Sequence, residues 1–173
     1  EDVPSYKEIC ATLKTDVVFV KPAEMGSSVG VSKAKNEQQY NTAVKQAFKY
    51  CFKVLVEKSI KGREVECSVL GNKNPEASCV GEIKMNNHEF YSYEAKYLDP
   101  NGADIVIPAQ NFSEKMVEKV QKIAIDAFKA AECSGMARID FFVSDEDSIY
   151  VNELNTIPGF TSISMYPKMW EAS

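Results

Sequence analysis

The chain has 173 residues, 45% hydrophobic and 26% charged, with 8 Gly and 7 Pro, a balance that excludes collagen-like, low-complexity and disordered classes. Lys plus Arg is 20 and Asp plus Glu is 25, a net charge of -5 with the lysines scattered. That argues against nucleic acid as a partner, because binding a phosphate backbone needs a concentrated basic face. No apolar run approaches a membrane span, and Glu1-Asp2-Val3-Pro4 lacks the apolar core of a signal peptide, so neither a membrane nor export is expected.

In chain order, Val17-Val18-Phe19-Val20-Lys21 reads as a buried strand stopped by Pro22. Gly26-Ser27-Ser28-Val29-Gly30 is a small-residue loop, after which Val31 restarts extended chain. Asn36 with Gln39 resembles a capping box, and Tyr40, Ala43, Val44, Ala47 and Phe48 recur at helical spacing, which predicts an amphipathic helix over 37–50. Val54-Leu55-Val56-Glu57 reads as a buried strand and Val65-Glu66-Cys67-Ser68-Val69 as a half-buried one. Residues 72–75 mark a turn. Residues 79–85 and 89–93 read as a hairpin around Asn86-Asn87, and 94–104 as a loop through Asp99-Pro100-Asn101-Gly102. Ser113 caps a predicted helix whose stripe runs from Met116 to Ala131, with Gly135 placed to end it. Residues 138–143 and 148–153 are strands joined by the acidic turn Asp145-Glu146-Asp147, and after Asn155 the chain is loop-like through Pro158-Gly159. Helices and hairpins alternate without strict βαβ order, which favours α+β over a doubly wound sheet. A subdomain break falls near Lys61-Gly62-Arg63.

The five cysteines, Cys10, Cys51, Cys67, Cys79 and Cys133, are odd in number and lack CxxC spacing. They read as buried, reduced thiols of a cytosolic protein rather than a disulfide framework or a zinc site. His88 is the single histidine, in a turn-like stretch, so His-based acid–base chemistry is not expected.

Five constellations can carry chemistry, each with a plainer reading beside it. Lys21 ahead of the Gly26–Gly30 loop can present a fixed cation and backbone N–H groups to an anion, or be a simple hairpin turn. Arg138 and Asp140 share one strand face, as do Glu153 and Asn155. If the strands pair, two carboxylates and an amide gather, a set suited to Mg²⁺, although a solvated salt bridge fits equally. Glu57-Lys58 with Gly62-Arg63-Glu64 can accept hydrogen bonds from ribose or adenine, or decorate a strand end. Tyr93-Glu94-Ala95-Lys96-Tyr97 enters a long loop. Pro158-Gly159, within residues 155–164, forces a turn whose freed N–H groups can stabilise an oxyanion, or simply connects two elements.

The order of these features is more specific than any one of them. Lys21 before GSSVGV, Glu57-Lys58 before Gly62-Arg63-Glu64, EAKY at 94–97, RID at 138–140, NELNTIPGFTSIS at 152–164 and MYP at 165–167 together closely resemble the D-alanine–D-alanine ligase family of the ATP-grasp superfamily. The resemblance covers nearly the whole chain. It implies an α+β ATP-grasp fold: two α+β subdomains holding ATP between them, a partial central one over 1–62 and a C-terminal one over 63–173. The family's N-terminal substrate domain is not matched, so the chain is expected to be a piece or processed product of a longer protein that binds nucleotide weakly and does not ligate by itself.

The resemblance also implies roles. Lys21, Ser27, Ser28 and Lys96 match ATP-phosphate contacts, with Ser27 also tied to the substrate side. Glu57, Lys58 and Ile60 match the adenine hinge, and Glu64 the ribose acid. Asp140, Glu153 and Asn155 match ligands of two Mg²⁺ or Mn²⁺ ions. Arg138 and the Gly159 backbone match the groups that stabilise the acyl-phosphate and tetrahedral species, and Tyr97 closes the mobile loop. Ser164 and Met165 match positions near the second D-alanine, where the family more often has Leu at the latter. The implied reaction is ATP-dependent joining of two D-alanines for peptidoglycan precursors, in the cytoplasm, by a homodimer when complete. D-serine or D-lactate as second substrate is the near alternative, and Tyr97 speaks against D-lactate because that type usually carries His there. A nucleotide-binding module without activity is the distant one.

Overall fold

The computed structural model describes residues 3–86, 99 and 101–173. The chain divides into two compact units, Glu1–Ile60 with Met85–Gly102, and Lys61–Lys84 with Ala103–Ser173. The first boundary lies two residues before the break read from the sequence, and residues 85–102 group with the first unit.

The first unit is built on a three-stranded antiparallel sheet of β1 (Val18–Pro22), β2 (Ser32–Ala34) and β3 (Val54–Lys58), in the order β2-β1-β3. Val18 and Val20 alternate onto one face of the central strand and are fully buried. Against them α2 (Glu37–Ala47) sets Tyr40, Ala43, Val44 and Ala47, the i, i+3, i+4, i+7 stripe of an amphipathic helix. Asn36 Oδ1 accepts from Gln39 N at 2.9 Å, as a cap should. The return bond differs from a full capping box: Gln39 Oε1 accepts from Lys35 N at 2.8 Å, one residue further back. The helix closes at Ala47, and the predicted last turn to Tyr50 is tighter, with Lys49 N donating to Gln46 O and Tyr50 N to Ala47 O at 3.0 Å each.

Helix α1 (Tyr6–Leu13) was not among the predicted elements. Its signal is Ser5-x-x-Glu8, a complete capping box in which Ser5 Oγ accepts from Glu8 N at 3.3 Å and Glu8 Oε2 accepts from Ser5 N at 2.8 Å. Tyr6, Ile9 and Leu13 lean on the same apolar cluster.

The second unit holds a five-stranded sheet of β4 (Arg63–Gly71), β5 (Glu76–Met85), β6 (Ala103–Val106), β7 (Gly135–Val143) and β8 (Ile149–Asn155), ordered β6-β5-β4-β7-β8. One face packs on α3 (Glu114–Ala130) through Val65, Cys67, Val69, Ala137, Ile139 and Phe141 against Val120, Ala124 and Phe128. Ser113 Oγ caps α3 by accepting from Met116 N at 3.2 Å. The left-handed residue that ends this helix is Glu132, at φ 53, whereas Gly135, expected to end it, begins β7 at φ 83.

Two strand expectations are corrected. β4 is not half-buried: it is the middle strand, so Glu66 and Ser68 on its second face are as buried as the valines on the first. β6 begins inside the stretch read as a loop, taking its last two residues, Ala103 and Asp104. Helix α4 (Met165–Glu171) is an addition, since no element is read from the sequence there. It packs on that second face: Ser68 Oγ donates to Tyr166 O at 3.2 Å, and Tyr166 Oη donates to Val69 O at 3.0 Å. Gly81 admits the helix, because a Cβ there would stand 2.6 Å from Met165 Cε and 3.0 Å from Met169 Sδ.

Cys51 and Cys67 are buried as expected, but Cys10, Cys79 and Cys133 are only partly so, and all five are free thiols. His88, Lys96, Tyr97 and the 89–93 half of the expected hairpin lie outside the described residues. No helix among the described residues is long and apolar enough to cross a membrane.

Candidate active site

β7 and β8 pair through the predicted acidic turn, where Ser144 N donates to Ser148 O at 2.9 Å. The register sets Arg138 opposite Asn155 and Asp140 opposite Glu153, so the four polar side chains share one sheet face. A bulge follows at once, with Phe141 opposite Val151, and it leaves this four-residue register intact. The face is the one α4 only partly covers.

Arg138 grips Asp140 with Nε to Oδ1 at 2.7 Å and Nη2 to Oδ2 at 2.8 Å. Asn155 Nδ2 donates to the same carboxylate at 3.0 Å and to Glu153 Oε1 at 3.4 Å. From the neighbouring strand β4, Glu66 Oε2 lies 2.9 Å from Arg138 Nε. Asp140 is 5% exposed and Glu66 4%, so the solvated salt bridge offered by the sequence is not what forms. Burial by itself would lower the Arg138 pKa. The hydrogen bonds that Arg138 donates to Asp140 and the charges of Asp140, Glu66 and Glu153 outweigh it and hold the guanidinium more firmly charged than usual.

Glu66 is the member that sequence reasoning missed. Alternation along β4 puts it on one face with Glu64 and Ser68, which was legible. That this face would be buried beside Arg138 depends on β4 being central.

Asp140, Glu153 and Asn155 fit a hard divalent cation by their donor chemistry: two carboxylates and an amide on adjacent strands. The amide nitrogen of Asn155 faces both acids, so a half-turn of its amide would present Oδ1 instead. Among the described residues no three His, Cys, Asp or Glu side chains stand close enough to form a metal cage on their own.

In the first unit, Lys21 at the end of β1 pairs with Glu57 of β3, Nζ to Oε2, at 2.6 Å. Lys58 is exposed and Ile60 half-buried. The Gly26–Gly30 loop is two successive turns, with Val29 N donating to Gly26 O at 3.1 Å and Val31 N to Ser28 O at 3.2 Å. Ser27 and Ser28 both take left-handed backbone, at φ 55 and 59, a conformation L-residues rarely adopt in succession. Gly30, at φ 75, is fixed as glycine, since a Cβ would meet Pro22 Cγ and Tyr50 Cδ2 at 2.8 Å each.

In the second unit, Glu64 is half-buried on β4 between Ile83 and Phe142. Gly159 is exposed, and a Cβ on it would stand 2.8 Å from Ser164 Oγ. Ser164 ties the loop together: its Oγ accepts from Thr161 N at 2.9 Å and bonds Thr161 Oγ1 at 2.9 Å. Met165 is buried with its methyl over Gly81.

Comparison with solved structures places this architecture. The D-alanine–D-alanine ligase structure from Coxiella burnetii superposes with a TM-score of 0.78 at 45% identity, covering 97% of this chain and 43% of that one. The VanG D-Ala:D-Ser ligase from Enterococcus faecalis superposes with a TM-score of 0.84 at 36% identity, covering 96% of this chain and 48% of that one. The fold is thus the α+β ATP-grasp fold of these ligases. The family described as D-ala D-ala ligase C-terminus matches residues 2–173, and the chain belongs to it. Among curated relatives, D-alanine–D-alanine ligase A of Salmonella typhimurium is 57% identical over 156 residues, 90% of this chain and 42% of that protein. The Coxiella burnetii ligase is 52% identical over 168 residues, 97% of this chain and 45% of that protein. The chain therefore spans less than half the length of the curated relatives it matches.

Proposed function

We propose that this chain is the ATP- and cation-binding part of an enzyme that joins two D-alanines, with residues 1–62 as its central subdomain and 63–173 as its C-terminal one. The observation that carries the reading is the β7–β8 register, which gathers Arg138, Asp140, Glu153 and Asn155 on one face in a chain of this family. ATP phosphorylates the carboxylate of the first D-alanine. The amine of the second attacks the acyl phosphate, and inorganic phosphate leaves. Neither step needs a covalent enzyme nucleophile.

On this reading Lys21, Ser27, Ser28 and Lys96 hold the phosphates. Glu57, Lys58 and Ile60 take the adenine, and Glu64 takes the ribose. Arg138 and the Gly159 N–H offset charge on the transferring and attacked oxygens, and Tyr97 helps keep water out. Asp140, Glu153 and Asn155 would hold two Mg²⁺ or Mn²⁺ ions, which neutralise phosphate charge when bound. Ser164 and Met165 border the second amino acid: Ser164 through its grip on the 159–164 loop, Met165 as the first residue of the helix that follows it, packed over Gly81. A cytoplasmic site of action and a homodimer of the complete protein belong to the same proposal.

D-serine as second substrate is the alternative that an observation favours, because the VanG D-Ala:D-Ser ligase superposes so well. Phosphate release by the complete enzyme with D-alanine alone, then with D-alanine plus D-serine or D-lactate, tests the reading. Robust release with D-alanine alone supports it. Release only when D-serine or D-lactate is added overturns the D-alanine assignment, and no release with any of the three overturns the ligase reading.

A further inference from the structure

Arg138 has more grip than one partner would provide. Asp140 takes the Nε–Nη2 edge of its guanidinium, and Glu66 approaches the same Nε from the next strand. Three strands place these groups: Glu66 stands opposite Asp140 across β4 and β7 and opposite Gly81 across β4 and β5. A buried carboxylate is costly unless a cation compensates it, so Glu66 on the central strand needs a reason to be there. Asp140, moreover, carries two duties on the reading above. It holds Arg138, and it would lend oxygens to a divalent cation. A cation that engages the Asp140 carboxylate competes with Arg138 for the same lone pairs.

We propose that Glu66 is a positioning residue that keeps Arg138 in place while Asp140 serves the cation. The inference rests on Asp140 being a cation ligand. Glu66 is suited to the task because it is 4% exposed and belongs to the middle strand, where its backbone is fixed on both sides. Glu66 Oε2 stands 2.9 Å from the same Nε whose one N–H is donated to Asp140, so the arginine can change carboxylates without leaving the sheet face.

The test reads the Arg138 side chain directly. Arginine is labelled with ¹⁵N in this chain, and the Nε–H signal of Arg138 is identified by its loss in Arg138→Lys. Its exchange with water is measured without cation, with Mg²⁺, and with Mg²⁺ and ATP. Wild type should stay protected in all three. Glu66→Gln should stay protected without cation, because Asp140 still holds the group, and should exchange about tenfold faster with Mg²⁺ and ATP, the scale of one charge-assisted hydrogen bond. Asp140→Ala should stay protected without cation, because Glu66 suffices. Equal protection of wild type and Glu66→Gln under Mg²⁺ and ATP overturns the proposal. So does loss of protection in Asp140→Ala, which serves also if Glu66→Gln does not fold. The cation-site reading is judged separately, by whether the Asn155 side-chain amide signals of wild type shift with Mg²⁺ and ATP. If they do not, that reading fails whatever Glu66 does.

Discussion

Arg138 and Asp140, two residues apart on β7, are joined by parallel hydrogen bonds of 2.7 and 2.8 Å while Asp140 is almost wholly buried. The guanidinium is outnumbered by acids, with Glu66 and Glu153 nearby. Arg138→Met should therefore cost about 3–5 kcal/mol, since it strands buried carboxylates without a cation. Asp140→Asn keeps the shape, leaves Arg138 with Glu66 and should cost less than half as much. Urea unfolding of the two variants measures this, and equal losses would contradict the arrangement.

Gly81 sets how closely α4 approaches the sheet. Gly81→Ala pushes a methyl into the Met165 and Met169 side chains, and repacking them should cost about 1–3 kcal/mol. Adding Met169→Ala makes room, so the double variant should lose less than the sum of the two single losses. Strict additivity in thermal or urea unfolding would show that the helix does not rest on this contact.

Much of the fold was legible. β1, α2, β3, α3 and the β7–β8 hairpin follow from apolar period and capping residues, and alternation alone placed Arg138 with Asp140 and Glu153 with Asn155. Pairing then made one cluster of the two couples. What stayed hidden depends on neighbours distant in sequence. Glu66 looks like an exposed strand position until β5 and β7 flank β4. No element is legible over 165–171, because Met165, Tyr166 and Met169 show their role only when a sheet face with Gly81 in it receives them, and Pro167 masks the short helix further. Helix α1 is a different case: Ser5 and Glu8 announced it locally.

Cys67 gives the protein an alkaline weakness. Burial pushes its thiol up to about 12 from an ordinary 9.0, so the folded state holds the proton more tightly than the unfolded one. The stability this contributes is complete below pH 9.0 and fades as pH rises towards about 12. Buried Tyr40 and Tyr166 are raised as well, chiefly by burial, and steepen the same decline. Cys67→Ala should flatten the fall in unfolding free energy above pH 9, and an unchanged slope would contradict the assignment.

Ser5 and Glu8 close the start of α1 reciprocally. Ser5→Ala should remove about 1 kcal/mol and act locally, because α1 has no fully buried residue. Amide exchange should quicken over residues 6–10 and stay unchanged in β4 and β7. Uniform acceleration across both units would show that the cap supports more than its own helix.

If this chain supplies working nucleotide and cation chemistry to a D-alanine ligase, residues 2–173 grafted in place of the matching segment of the Salmonella typhimurium D-alanine–D-alanine ligase A should support phosphate release. That release should depend on D-alanine and fall at least about a hundredfold on Asp140→Asn. A folded graft that binds ATP but releases no phosphate with D-alanine, or one that is indifferent to Asp140→Asn, would contradict that role.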